Sequence, residues 1–218
     1  MLYIVATPIG NLEDISLRAK RILSEVDILL CEDTRNTNKL LDLLQIHKKP
    51  QLESFYDEIE EQKIPKVIDW LNDGKNIAVV SDAGTPIISD PGWKLVKKCQ
   101  KFGIKYTAIP GPSALINAVV LSGLPSGRFS FLGFLPKKSG ERKKVLEKYK
   151  EIDGLKIVYE SPFRVKKLIE EIKVIYGENA EIKICREMTK KFEEIVDVGT
   201  CQGTGAFIEK GEMVVVFI

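Results

Sequence analysis

The sequence predicts an α/β protein of two domains, the first built on a mostly parallel sheet and the second on a mixed sheet. Three observations predict it. Short apolar runs alternate with amphipathic helical periods up to about residue 121, the βαβα rhythm of a parallel sheet with helices on both faces. Past residue 128 the strands follow one another with less room for helices, which suits antiparallel pairing. A chain of 218 residues, 44% of them hydrophobic, is long enough for one large core or two small ones.

In chain order, "LYIVA" (2–6) is the first strand, followed by a helical period near 16–25. "DILLCE" (27–32) is the second strand, with a helix near 35–45, and "LESFY" (52–56) the third, with a helix near 58–73. "NIAVVS" (76–81) reads as a buried strand. It ends in "DAGTPIISDPG", where Ser89 or Asp90 suits an N-cap and Pro91 the first position of a helix over 90–102. "IKYTAI" (104–109) closes the first sheet, and "PGPSA" leads into a helix that begins at Ala114 with Ser113 as its cap. "SGLPSGR" (122–128) reads as a linker, and the domains are expected to span 1–117 and 118–218. The second domain then runs "FSFLGFL" (129–135), a basic helix (139–151), "LKIVYE" (155–160), a helix (163–176), "EIKICRE" (181–187), "FEEIVDVG" (192–199) and "MVVVFI" (213–218).

Composition excludes several classes. The net charge is +2, so an anion site must be a local patch rather than a uniformly basic surface. The four Cys (31, 99, 185, 201) form no C-x-x-C and read as reduced, buried thiols of a cytoplasmic protein. His occurs once, at position 47, which nearly excludes His-based triads and His-rich metal sites. No apolar run approaches the roughly 20 residues that span a bilayer, and no signal peptide is evident.

Chemistry concentrates where strands end. In α/β sheets of this kind, ligands bind at the carboxyl ends of the strands. "ATPIGNLED" (6–14), "CEDTRN" (31–36), "SDAGTPIISDPG" (81–92) and "IPGPSA" (109–114) all follow strands and all carry unusual polar or turn residues. Each alone reads equally well as a capped turn; together they describe a cleft. Asp82 puts a carboxylate at a strand end, and Gly84 permits close approach of a ligand to the main chain. The first loop lacks G-x-G-x-x-G, so the ordinary dinucleotide fingerprint is missing. In the second domain, "YESPFR" (159–164) and "CREMTKKFEE" (185–194) place Glu and Arg at strand ends. "PKKSGERKKVLEKYK" (136–150) carries seven Lys or Arg against two Glu, which reads either as a solvated helix face or as a contact to phosphates through Lys137, Lys138, Arg142 and Lys143.

"TPIGNLEDIS", "CEDTR", "VSDAGTPIISDPG", "PGPSA", "ESPFR" and "REMTKKFEE", in this order, closely resemble the ribosomal RNA small subunit methyltransferase I family of the tetrapyrrole methylase superfamily. The resemblance runs from the first strand to about residue 215. It implies two α/β domains of the tetrapyrrole methylase type, the first Rossmann-like, with S-adenosyl-L-methionine folded between them, and a homodimer. It implies 2′-O-methylation of a cytidine in the decoding region of 16S ribosomal RNA, with the 30S subunit or its RNA as partner, in the cytoplasm. The superfamily's cofactor contacts carry over onto Pro8, onto Asp82, Ala83, Gly84, Thr85 and Pro86, onto Ser113 and Ala114, near Tyr159, onto Glu187 and Met188, and onto Gly211, Glu212 and Met213. Two departures stand out. Phe163 occupies the place of the His in the usual "ESPHR", and the sequence ends at "GEMVVVFI" where the family usually carries a further helical segment.

Transfer to a ribose 2′-hydroxyl needs alignment and a proton acceptor. Asp33 and Glu160 are the first candidates, with Glu32 and Glu187 behind them. Arg35, Arg164 and Arg186 are candidate phosphate clamps, helped by Lys190 or Lys191. No metal is called for. Two other readings share the fold: C-methylation of a corrin precursor, and non-catalytic binding of a nucleotide or RNA.

Overall fold

The computed structural model describes residues 1–198 and 210–218. The chain divides into two compact units, Met1–Ser113 and Ala114–Ile218.

The first unit holds five parallel strands: β1 (Leu2–Val5), β2 (Ile28–Cys31), β3 (Gln51–Ser54), β4 (Ile77–Val80) and β5 (Tyr106–Ile109). The helices between them are α1 (Leu17–Glu25), α2 (Thr34–Leu43), α3 (Asp57–Asn72) and α4 (Trp93–Phe102). The spatial order is β3-β2-β4-β1-β5. Side chains on a strand alternate between faces, and the two cores follow that rule. Leu2, Ile4, Ile28, Leu30, Ile77 and Val79 pack with α3 and α4 through Ile64, Val67, Leu71, Leu95 and Cys99. Val5, Leu29, Cys31, Ala78 and Val80 pack on the other face with Ala19, Ile22, Leu23 and Leu41 of α1 and α2.

Helix α4 starts later than the sequence suggests. The residue before it is Gly92, at φ 126°, and neither Ser89 nor Asp90 caps it. Glu60 of α3, itself buried, accepts the Gly92 N–H at 3.0 Å. A Cβ at Gly92 would meet Ile87 Cγ1 at 3.0 Å. The turn is therefore fixed by a distant carboxylate and by packing, which local capping rules do not anticipate.

The second unit begins with α5 (Ala114–Leu121), which packs on β10 (Met213–Phe217). Cys185 Sγ also approaches the Ala118 carbonyl at 3.8 Å. The helix thus joins the second unit as a whole, where the sequence reading divides it at residue 117. The mixed sheet runs β6 (Phe129–Phe134), β7 (Leu155–Glu160), β10, β8 (Ile182–Arg186) and β9 (Glu194–Asp197). β6 and β7 are parallel, and the other pairings are antiparallel. α6 (Ser139–Lys150) and α7 (Val165–Tyr176) pack together over a core that includes Leu146, Leu168, Ile172, Ile184 and Val215. Among the described residues no helix is long and apolar enough to cross a membrane. Cys31, Cys99 and Cys185 are buried free thiols, and Cys201 lies outside the described residues.

Candidate functional site

In the first unit β4 lies between β2 and β1, and β5 lies beyond β1. Loops far apart in sequence therefore emerge side by side, and hydrogen bonds join them. Thr7 and Gly84 exchange two main-chain bonds, Thr7 N–H to Gly84 O at 2.9 Å and Gly84 N–H to Thr7 O at 3.0 Å. The Thr85 hydroxyl donates to Pro112 O at 2.9 Å. Asp82 accepts the Asp33 N–H at 3.2 Å and the Asn36 side-chain amide at 2.8 Å. A Cβ at Gly111 would sit 3.0 Å from the Ala6 Cβ, so a larger residue there would push the two loops apart by a few tenths of an ångström.

Gly84 has φ 84° and its main-chain N–H and C=O both bond Thr7, so its lack of a side chain serves this loop junction. Pro86 is buried and Thr85 half-buried, while Asp82 and Ala83 are exposed. Pro8, Ser113 and Ala114 are half-buried.

The strand-end region is acidic. Asp90 is pushed up to about 6, first by burial and then by the charge of Glu32. Burial, followed by the charge of Asp82, raises Glu32 as well. Asp33 behaves oppositely. It caps α2, and its carboxylate binds the Arg35 guanidinium at 3.1 and 2.6 Å and the Arg35 N–H at 2.8 Å, which holds it at about 2. Arg35 is 88% exposed. Glu32, Asp82 and Asp90 thus gather carboxylates at the strand ends, beside the exposed residues Asp82 and Ala83. Glu32 stood second to Asp33 on sequence alone. The sequence reading of Asp90 is a possible helix cap, because "SDPG" matches a helix start.

In the second unit the strand register assembles another group. Met213 pairs with Glu160 on one side and Arg186 on the other, and Arg186 pairs with Glu194. Glu160 has a side chain 1% exposed. Its two oxygens accept Arg164 Nε at 2.7 Å and Nη2 at 2.8 Å, and Oε1 also accepts the Ser161 N–H at 2.7 Å. Arg164 also donates to Leu135 O at 3.1 Å. Arg186 is buried, binds Glu194 at 2.9 Å and reaches Lys210 O at 3.3 Å. The sequence reading makes Glu160 a proton acceptor and Arg164 and Arg186 phosphate clamps. In the structure Glu160 pairs with Arg164 and Arg186 with Glu194, and these pairs hold the ends of β7, β8 and β9.

Glu187 sits at φ 49°. Its carboxylate accepts the Glu212 N–H at 2.8 Å and pairs with Lys190 at 3.1 Å, and it titrates below the ordinary range, chiefly through the Glu212 bond. A Cβ at Gly211, where φ is 87°, would come within 2.6 Å of that side chain. Met188 and Met213 are buried, and Tyr159 makes edge contacts with Phe131 and Phe134 at 4.8 and 5.5 Å.

The residues of the basic segment differ in exposure. Arg142 is buried against Glu171, with Nε at 2.5 Å and Nη2 at 2.8 Å, and it donates to the carbonyls of Pro136 and Lys137. It closes α6 onto α7, with its side chain 3% exposed. Lys137 and Lys138 are exposed, Lys143 and Lys190 half-buried.

The chain matches the model of the Tetrapyrrole (Corrin/Porphyrin) Methylases over residues 1–202. It is 44% identical over 218 residues to the ribosomal RNA small subunit methyltransferase I of Thermotoga maritima, covering 99% of this chain and 96% of that protein. This chain belongs to the ribosomal RNA small subunit methyltransferase I family. The family member of Halalkalibacterium halodurans is 46% identical over 195 residues, 89% of this chain and 66% of that protein, so the chain spans about two thirds of that relative's length. Among solved structures, a uroporphyrin-III C-methyl transferase from Thermus thermophilus complexed with S-adenyl homocysteine has a TM-score of 0.66 at 14% identity, over 99% of this chain and 96% of that one. At that identity the likeness concerns the fold.

Proposed function

We propose that the protein methylates the RNA of the small ribosomal subunit, with S-adenosyl-L-methionine as donor and a cytidine 2′-hydroxyl in the decoding region of 16S RNA as acceptor. The reading rests on one conjunction. Strand-end loops joined around Asp82 occur in a chain 44% identical, over 99% of its length, to a protein named ribosomal RNA small subunit methyltransferase I. A cytoplasmic location and a homodimer belong to the same reading.

The cofactor supplies a methyl group on a positively charged sulfur. Asp82 and Ala83 are the loop residues offered to it, and the Glu32 and Asp90 carboxylates give the region its negative potential. Glu32 is the proton acceptor in this reading. Its affinity for a proton is raised, whereas Asp33 at about 2 is a poor base and Glu160 is enclosed by Arg164. A base works best when its own pKa is close to the working pH. Asp33 instead orients Arg35. The guanidinium uses Nε and Nη2 on Asp33, which directs its remaining donors to a phosphate.

The test is transfer of tritiated methyl from labelled cofactor to undermethylated 30S subunits, to free 16S RNA and to uroporphyrinogen, with nuclease digestion to locate the product. Label in a 2′-O-methylcytidine is expected. Label in the tetrapyrrole alone would establish the C-methylation reading instead.

A further inference from the structure

Helix α4 reads "WKLVKKCQKF". Leu95 and Cys99 enter the core. Lys94, Lys97, Lys98 and Lys101 fall at i, i+3, i+4 and i+7, one face of a helix. That face and α3 enclose a groove lined by these four lysines, by Trp93 and by Ile64 and Pro65. Lys94 pairs with Glu61 at 2.8 Å. Lys97, Lys98 and Lys101 are exposed, with no ion pair of their own among the described residues. Trp93 stands at the head of the groove, 54% exposed.

Four ammonium groups lie along about 10 Å of helix axis; Glu61, Glu60 and Asp57 act on Lys94 at one end, while Lys97, Lys98 and Lys101 continue past them as a basic face that suits a polyanion. They do not suit a second copy of the same face, because like charges meeting across a two-fold axis repel. An exposed indole beside them suits an unpaired base, since stacking on aromatics is how single-stranded RNA is gripped. We propose that the α3–α4 groove binds the phosphate backbone of the substrate RNA, with Trp93 as a stacking face for an unpaired base. The proposal rests on the reading of the protein as an RNA methyltransferase. It places the basic surface of the first unit on α4, whereas in α6 Arg142 is internal and Lys138 faces Glu141 at 3.6 Å.

The sequence has two Trp, at 70 and 93, so Trp70→Phe leaves Trp93 as the single indole reporter. Titrating that full-length variant with a single-stranded 16S decoding-region RNA should quench its emission. The triple variant Lys97→Gln/Lys98→Gln/Lys101→Gln should bind this RNA at least about ten-fold less tightly. The slope of log affinity against log salt should flatten by about two, at roughly 0.7 per phosphate contact on a single strand. Cofactor affinity and thermal midpoint should stay at wild-type values. An unchanged salt slope in the triple variant, while the wild type still methylates RNA, overturns the groove assignment alone. So does loss of self-association in that variant by light scattering, which would make the groove an interface between copies. A wild type that methylates no RNA overturns the functional reading instead.

Discussion

The carboxylate of Asp82, at the end of β4, accepts the backbone N–H of Asp33, at the end of β2, at 3.2 Å. Asp82 therefore sets the start of α2 as well as facing solvent. Asp82→Ala is expected to weaken S-adenosylmethionine binding about 10–100-fold, the usual scale for a hydrogen bond to a charged group. Asp82→Asn should keep more of the affinity because its oxygen can still accept from Asp33. Calorimetry on both variants decides this, and wild-type affinity in Asp82→Ala would remove the residue from the site.

Glu32 and Asp33 are neighbours with opposite environments. Glu32→Gln should lower single-turnover methyl transfer by about 10²–10⁴-fold, the range for loss of a positioned base, with RNA affinity retained. Asp33→Asn should lower it far less, because asparagine also caps helices and Asp33 acts through Arg35. Equal losses in the two variants would contradict this division of roles.

The Arg142–Glu171 pair, with side chains 3% and 5% exposed, should behave as a buried ion pair. Arg142→Met alone is expected to cost about 3–5 kcal/mol, because a buried carboxylate is left unpaired. Arg142→Met with Glu171→Leu should recover most of that loss. Denaturant unfolding of the cycle tests the coupling. RNA affinity should not change in the folded double variant, unlike in the α4 triple variant.

Asp90 gives a signed pH dependence. Its carboxyl moves from 3.8 to about 6 on folding. Between these values the native state keeps a proton that the unfolded chain releases, so this group's contribution to stability falls as pH rises from about 4 to 6 and is level above. Asp90→Asn should remove that slope. It should stabilise the protein near neutral pH by about 1 kcal/mol, a figure reduced for the group's partial exposure. Thermal midpoints at pH 4.5 and 7 measure it, and a midpoint difference between the two pH values unchanged by the substitution would refute it.

Gly211→Ala should displace the Glu187 side chain and strain a left-handed backbone position, at a cost of about 1–2 kcal/mol. The Glu187→Ala background should relieve the crowding and leave the backbone term. A double-mutant cycle by chemical denaturation separates the two, and strictly additive effects would show that the crowding is absent.

The order and kind of nearly every element were legible in the sequence, because burial on two faces writes itself into apolar runs such as "IAVV" and amphipathic helices such as α1. The loops that hold the candidate site were legible too, since turn residues and acids recur after four strands of one sheet, although each loop alone reads as a capped turn. The motif order was enough to suggest the family. What the tertiary structure alone decided was which side chains remain available. Spatial strand order brings Asp33 to Asp82 and Thr7 to Gly84, and local sequence carries no record of it. Arg142, Glu160, Arg164 and Arg186 look like surface charges when read along the chain. Folding pairs Arg142 with Glu171 on another helix, Arg186 with Glu194 on the neighbouring strand, and Arg164 with the buried Glu160 four residues before it, because a charge buried without a partner is costly. The lysines of α4 were legible as residues, but only packing against α3 turns them into one side of a groove.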